Sequence, residues 1–314
     1  MKPKRLAISM GDPRGIGPEI TLKALAAQLK VEDNWYYTVY GNSFLLEELN
    51  EKLGIGCPLN RVILEDASVC LSGSPALNAI SWIEAAASAC LSGKATGMVT
   101  APISKEETIL AGYNNFTGQT EFLAEYSKTA HPVMMLLGTA PKGEWLRIAL
   151  ATTHLPLSQV ATSLTVFKIE NAIRLASDAC RQLKLERCRI GVSGFNPHCG
   201  EGGKMGNEEA LFIDPAIQNC LRDGLDVLGP ISADVLLKKA WQGELDAVVS
   251  MYHDQALPAL KMVAFDSGVN WTLGLPFTRV SPDHGTAFDI AGKGIASPCS
   301  MLAAISLAKK LNSE

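Results

Sequence analysis

Short, strand-like apolar runs alternate with longer helical segments along the whole chain, and this alternation constrains the fold more than any other feature. RLAIS leads through a Gly-rich turn into the helix-like PEITLKALAAQLK. WYYTVYG reads as a strand, ALNAISWIEAAASACLSG as a helix, and ATGMVTAP as the next strand. PVMMLL and LRIALATT follow as strands, then TVFKIENAIRLASDACRQLKL as a long helix and CRIGVSGFNP as strand and loop. DAVVSMYHDQ is again strand and loop, and SPCSMLAAISLAKKL closes the chain as an amphipathic helix. Strands separated by helices of about 10–20 residues predict an α/β architecture. At 314 residues the chain is comfortable for two domains and long enough to bury a large core.

Composition excludes several function classes. Hydrophobic residues make up 47% and charged residues 19%, which is globular and not disordered. The net charge is −4 and no Lys/Arg run is present, so a duplex nucleic-acid binder is not expected. MKPKRLAIS is followed by no apolar segment of the kind a signal peptide needs, and no apolar run approaches the roughly 18 residues of a membrane span. The expected compartment is the cytoplasm. Eight cysteines are scattered without a CxxC pair, which predicts reduced, buried thiols; Cys199, beside His198 in a polar loop, is the one with another potential role.

The chemistry-bearing residues gather where strands end. Of five histidines, His154 follows LRIALATT, His198 follows RIGVSGFNP and His253 follows DAVVSMY. Ligands of α/β folds bind beyond the carboxyl ends of strands, and three imidazoles from three loops would make an open metal site. His131 precedes a proline and reads as a surface turn residue, while His284 sits in a later Gly-rich turn. Three such turns stand out. MGDPRGIGPEI joins a strand to a helix but lacks the GxGxxG spacing of a dinucleotide fingerprint. NPHCGEGGKMG places four glycines around His198, and DHGTAFDIAGKG carries His284, Thr286 and Asp289 just before the last helix.

Taken in order, GDPRGIGPE, TGQTEF, ATTHLPL, NPHCGEGGKMG, GPISAD, MYHDQALPALK, GVNWTLGLPFTR and DHGTAFDIAGKG give the chain a resemblance to the 4-hydroxythreonine-4-phosphate dehydrogenase family of vitamin B6 biosynthesis. That family is related in fold to isocitrate and isopropylmalate dehydrogenases. The resemblance implies two α/β domains around a central cleft. A terminal domain would hold residues 1–116 and 286–314; a central one, 117–285, would carry the metal ligands and the dimer interface. It implies one divalent metal ion per site (Zn, Mg, Mn or Co) held by His154, His198 and His253, with His253 contributed by the partner of a homodimer. Substrate contacts are implied for Gln119, Thr120, Lys261, Asn270 and Arg279, the last a bidentate fork suited to phosphate or carboxylate. NAD is expected at His284, Gly285, Thr286 and Asp289; Lys293 is the only basic residue of that turn, which favours NAD over NADP. At one position the chain departs from the family motif TGHTE: Gln119 replaces the histidine, and an amide carries no charge.

The implied reaction is metal-assisted hydride transfer from a hydroxyl-bearing carbon to NAD. Decarboxylation then follows, so 4-hydroxythreonine-4-phosphate becomes 3-amino-2-oxopropyl phosphate. Asp234 and Asp254 are the candidate proton-transfer or orienting carboxylates. Alternatives are a related dehydrogenase of 4-phospho-D-threonate, D-erythronate or an aromatic carboxylate cis-dihydrodiol, and a non-catalytic metabolite-binding paralogue. A zinc hydrolase using the three histidines is a further reading, but the sequence has no HExxH motif and that reading leaves HGTAFDIAGKG unexplained.

Overall fold

The structure is a computed structural model and describes residues 4–31, 33–66, 73–140 and 142–313. The chain divides into two compact units, one formed by residues 1–132 with 275–314, the other by residues 133–274. Strands are numbered in chain order.

The first unit contains β1 (Lys4–Ser9), β2 (Trp35–Tyr40), β3 (Ile63–Glu65), β4 (Gly97–Thr100) and β11 (Thr278–Pro282), in the spatial order β3-β2-β1-β4-β11. Neighbouring strands run parallel. Parallel strands need crossovers, and the helices Gly17–Gln28, Ser43–Lys52 and Pro75–Leu91 lie in the connections from β1 to β2, β2 to β3 and β3 to β4. Covered on both faces, β1 is apolar without alternation: Leu6, Ala7 and Ile8 are fully buried. One core cluster joins Ile80 and Ile83 of the third helix to Met98 of β4 and to Phe116, Phe122 and Leu123.

The second unit contains β5 (Val133–Thr139), β6 (Trp145–Leu150), β7 (Ile190–Ser193), β8 (Val227–Ile231), β9 (Ala247–Ser250) and β10 (Val269–Leu273), in the order β10-β5-β6-β9-β7-β8. β5 is antiparallel to both its neighbours, whereas β6, β9, β7 and β8 are mutually parallel. The helix Val166–Gln182 begins where Thr165 accepts a hydrogen bond from the Lys168 N–H. Ile169, Ala172, Ile173, Ala176 and Cys180 form its buried stripe at helical spacing.

These junctions differ from the boundaries expected at 116/117 and 285/286. The helix Gln119–Tyr126 buries Phe122 and Leu123 in the core of the first unit, and β11 pairs with β4, so both segments belong there. The thiols also differ in part from expectation. Cys57, Cys90, Cys180 and Cys220 are buried and unpaired, but Cys188 and Cys199 are half-buried and Cys299 is exposed; Cys70 lies outside the described residues. Among the described residues no helix is long and apolar enough to cross a membrane.

Candidate functional site

In the second unit the parallel run β6-β9-β7 decides where the histidines emerge. His154, His253 and His198 each follow the carboxyl end of one of these neighbouring strands. The ladder continues into the loops. The Ala151 N–H donates to the Ser250 carbonyl (2.9 Å), and the buried Thr152 hydroxyl donates to the Met251 carbonyl (2.7 Å). The two loops are thereby held together, and the rings of His154 and His253 stand 5.5 Å apart between centroids, tilted by 48°. They line a cavity of about 280 Å³ with Tyr252, Asp254, Leu155 and Val160.

His253 Nδ1 lies 2.6 Å from Asp254 Oδ1. A carboxylate there favours Nδ1–H and leaves Nε2 with its lone pair, the state a metal ligand requires. Gln255, which the sequence reading passed over inside the MYHDQ motif, joins two of the three loops. Its Oε1 accepts from the Met251 N–H (2.7 Å) and its Nε2 donates to the Gly194 carbonyl (2.7 Å).

His198 opens a turn of five successive left-handed residues, with φ of 51°, 55°, 74°, 44° and 67° from His198 to Gly202. Each non-glycine residue in that conformation costs about 1–2 kcal/mol, so the turn needs anchors. The buried Glu209 carboxylate provides them, accepting from the backbone N–H of Phe195 (2.9 Å) and Asn196 (2.7 Å) and from Asn196 Nδ2 (3.0 Å). Among the described residues of one chain, no group of three His, Cys, Asp or Glu side chains is gathered to hold a metal ion. His154 and His253 come together; His198 is not brought into a set with them. Cys199 instead has the Ser232 hydroxyl 3.8 Å from its sulfur.

The other expected residues of this unit are separate. Asp234 is exposed in the first turn of the helix Ala233–Trp241, which follows β8. Lys261 lies in the helix Leu257–Ala264, its ammonium 5.6 Å from the centre of the Phe265 ring. Asn270 is on β10, its Oδ1 buried with no hydrogen-bond partner among the described residues.

The first unit gathers three of the expected substrate residues. Arg279, on β11, is only 2% exposed. Its Nη2 donates to Thr100 Oγ1 (2.7 Å) and to Gln119 Oε1 (2.8 Å), and its Nη1 lies 3.4 Å from Thr120 Oγ1. Burial pulls the guanidinium down to about 10, against a smaller upward pull from the Glu121 carboxylate. The group therefore remains cationic at neutral pH. Gln119 is fixed at both ends, since its Nε2 donates to the Ala101 carbonyl (3.1 Å).

The segment proposed for NAD is pinned by the N-terminal turn. The Ile16 N–H donates to the Thr286 carbonyl (2.9 Å), and a Cβ on Gly15 would fall 2.8 Å from that same oxygen, so only glycine permits the approach. Glu19, 1% exposed, accepts from the N–H groups of Gly294 (3.2 Å) and Ala296 (2.9 Å), while Lys23 donates to both carbonyls (2.9 and 2.8 Å). Arg14 pairs with the buried Asp12 (2.9 Å) and with Glu107 (2.7 Å) and lies 5.5 Å from the Phe288 ring. His284 and Thr286 are half-buried, Gly285 and Asp289 exposed.

Comparison with known proteins identifies the family. Residues 65–308 match the family described as pyridoxal phosphate biosynthetic protein PdxA. A 4-hydroxythreonine-4-phosphate dehydrogenase of Thermosynechococcus vestitus is 40% identical, covering 98% of this chain and 96% of that protein. A crystal structure of 4-hydroxythreonine-4-phosphate dehydrogenase from Klebsiella pneumoniae superposes with a TM-score of 0.83 at 34% identity, over 99% of this chain and 100% of that one. Isocitrate dehydrogenase from Methylococcus capsulatus, at 15% identity and a TM-score of 0.55 over 98% of this chain and 85% of that one, shares the fold. The chain belongs to the pyridoxal phosphate biosynthetic protein PdxA family.

Proposed function

We propose that the chain is a dehydrogenase that oxidises 4-hydroxythreonine-4-phosphate with NAD and a divalent metal ion, with loss of CO₂ giving 3-amino-2-oxopropyl phosphate. The reading is carried by the His154–His253 pair in its cavity. Two imidazoles with ring centres 5.5 Å apart would together hold one divalent ion. When bound, NAD accepts the hydride and the metal ion acts as a Lewis acid on the reacting hydroxyl.

The chain's own residues bind and orient. Arg279, charged and held by Thr100 and Gln119, takes the substrate's anionic group together with Thr120. Lys261 adds positive charge, and the unsatisfied Asn270 Oδ1 accepts a proton donor of the substrate. Asp254 is engaged by His253, so the proton-transfer role falls to Asp234. His284, Gly285, Thr286 and Asp289 hold NAD on the turn pinned by Ile16, Glu19 and Lys23.

The enzyme acts as a homodimer in this reading. The resemblance put His253 on the partner's side, but one chain sets His253 against His154. We therefore assign the crossing ligand to His198. Met262 and Phe265, 86% and 72% exposed around the helix that bears Lys261, fit a surface covered by a second copy.

The test is NADH formation with 4-phosphorylated threonine, threonate and erythronate substrates, with and without Mg²⁺, Mn²⁺ or Zn²⁺. Metal-dependent turnover with the highest kcat/KM for 4-hydroxythreonine-4-phosphate is expected. A preference for threonate or erythronate would overturn the substrate, and no NADH with any pair would overturn the enzyme.

A further inference from the structure

We infer that Gln119 is a positioning residue: it acts on the substrate through Arg279, by fixing the guanidinium from one side with its amide oxygen. This rests on the reading that Arg279 receives the substrate's anionic group. The amide is oriented by its two partners. Its nitrogen must face the Ala101 carbonyl, 3.1 Å away, because an oxygen there would set two acceptors together. Its oxygen then has only one direction left, toward Arg279 Nη2 at 2.8 Å. The same Nη2 donates to Thr100 at 2.7 Å, so both of its hydrogens are engaged and rotation of the fork is blocked. The whole cluster comes from three neighbouring segments of one unit: Thr100 and Ala101 at the end of β4, Gln119 at the start of its helix, and Arg279 on β11.

The neutrality of the amide matters as much as its geometry. A carboxylate at position 119 would form an ion pair with Arg279 and cancel the charge that an anion needs. A cation there would repel the buried guanidinium. Glutamine supplies an acceptor to Arg279 and a donor to Ala101 without changing the charge of the site. The role is therefore to set both the direction and the strength of the positive charge that the substrate meets.

The experiment is steady-state kinetics on Gln119→Leu, Gln119→Glu and Arg279→Gln, and on the double variant Gln119→Leu/Arg279→Gln. Gln119→Leu should raise KM for the phosphorylated substrate about five- to tenfold, the scale of one hydrogen bond, with kcat within about twofold and KM for NAD unchanged. Gln119→Glu should raise substrate KM further, because it cancels charge as well as altering geometry. In the Arg279→Gln background the leucine change should add little, since its effect runs through Arg279. If Arg279→Gln raises KM and Gln119→Leu does not, the inference is wrong while the reading of Arg279 stands. If Arg279→Gln folds and leaves KM unchanged, that reading falls and the inference with it. Should Arg279→Gln fail to fold, unchanged substrate KM in both Gln119 variants would overturn the inference alone.

Discussion

Position 119 illustrates what single residues do here. As a bare departure from the family motif, a glutamine suggests a lost charge. In the structure its oxygen meets a buried guanidinium, where a second positive charge would be unfavourable. The sequence displayed the substitution but not the neighbour, because β11 and the helix start are about 160 residues apart. Gln255 was invisible for the same reason: one of its two bonds stays in its own loop, at Met251, but the other reaches Gly194, 61 residues away after β7. Gln255→Leu should uncouple the His253 loop from the β7 loop and leave the Met251 N–H and the Gly194 carbonyl without that partner. Two hydrogen bonds of about 1 kcal/mol each set the stability loss at about 2 kcal/mol or more; metal-dependent turnover should fall at least tenfold with the far-ultraviolet circular dichroism unchanged. Turnover equal to wild type would remove Gln255 from the support of the site. The thiols offer a second check at this scale. Burial pushes Cys90 and Cys180 up to about 12 and Cys57 and Cys220 to about 11, so all four stay protonated near pH 8. Mass spectrometry after brief labelling of native protein with a thiol reagent should find Cys299 modified and these four unmodified.

At the scale of elements, period and turn chemistry made most of the parallel scaffold readable. β1, β2, β4, β5, β6, β7 and β9 coincide with apolar runs, and the helices Gly17–Gln28, Pro75–Leu91, Val166–Gln182 and Cys299–Leu311 with helical segments. β10 and β11 were legible only as motifs, GVNWTLGLPFTR, because an asparagine, a buried arginine and a terminal proline break the apolar pattern of a strand. Two of those interruptions, Asn270 and Arg279, are residues proposed to contact the substrate. The tie between the helix Gly17–Gln28 and residues 294–296 was not legible either. Glu19 and Lys23 look like an ordinary i,i+4 surface pair, yet the carboxylate is buried against two backbone N–H groups. Glu19→Ala strands those donors and removes the partner of Lys23. The expected loss is about 3 kcal/mol, read as a fall of several degrees in Tm. A Tm within one degree or so of wild type would show that the pair is merely a surface contact.

At the scale of the whole molecule, the placement of three histidines after three strands was readable from one dimension, but strand order was not. The order β6-β9-β7 puts β9 in the middle, and the loop ladder from Ala151 and Thr152 joins β9's loop to that of β6. His253 therefore accompanies His154, and His198 stands apart on its left-handed turn. If each metal site takes His154 and His253 from one chain and His198 from the other, the three single alanine variants should each lose metal-dependent turnover as homodimers. Mixed dimers then behave according to which pair is mixed. Combining His154→Ala with His198→Ala subunits places both defects in one site and leaves the other intact, so activity should return to as much as half of wild type in verified heterodimers. Combining His154→Ala with His253→Ala leaves one defect in each site, and no activity should return. The opposite pattern would make His253 the crossing ligand, as the family resemblance implies. Rescue in neither mixture would mean that all three ligands act within one chain, and the proposed sharing would be wrong.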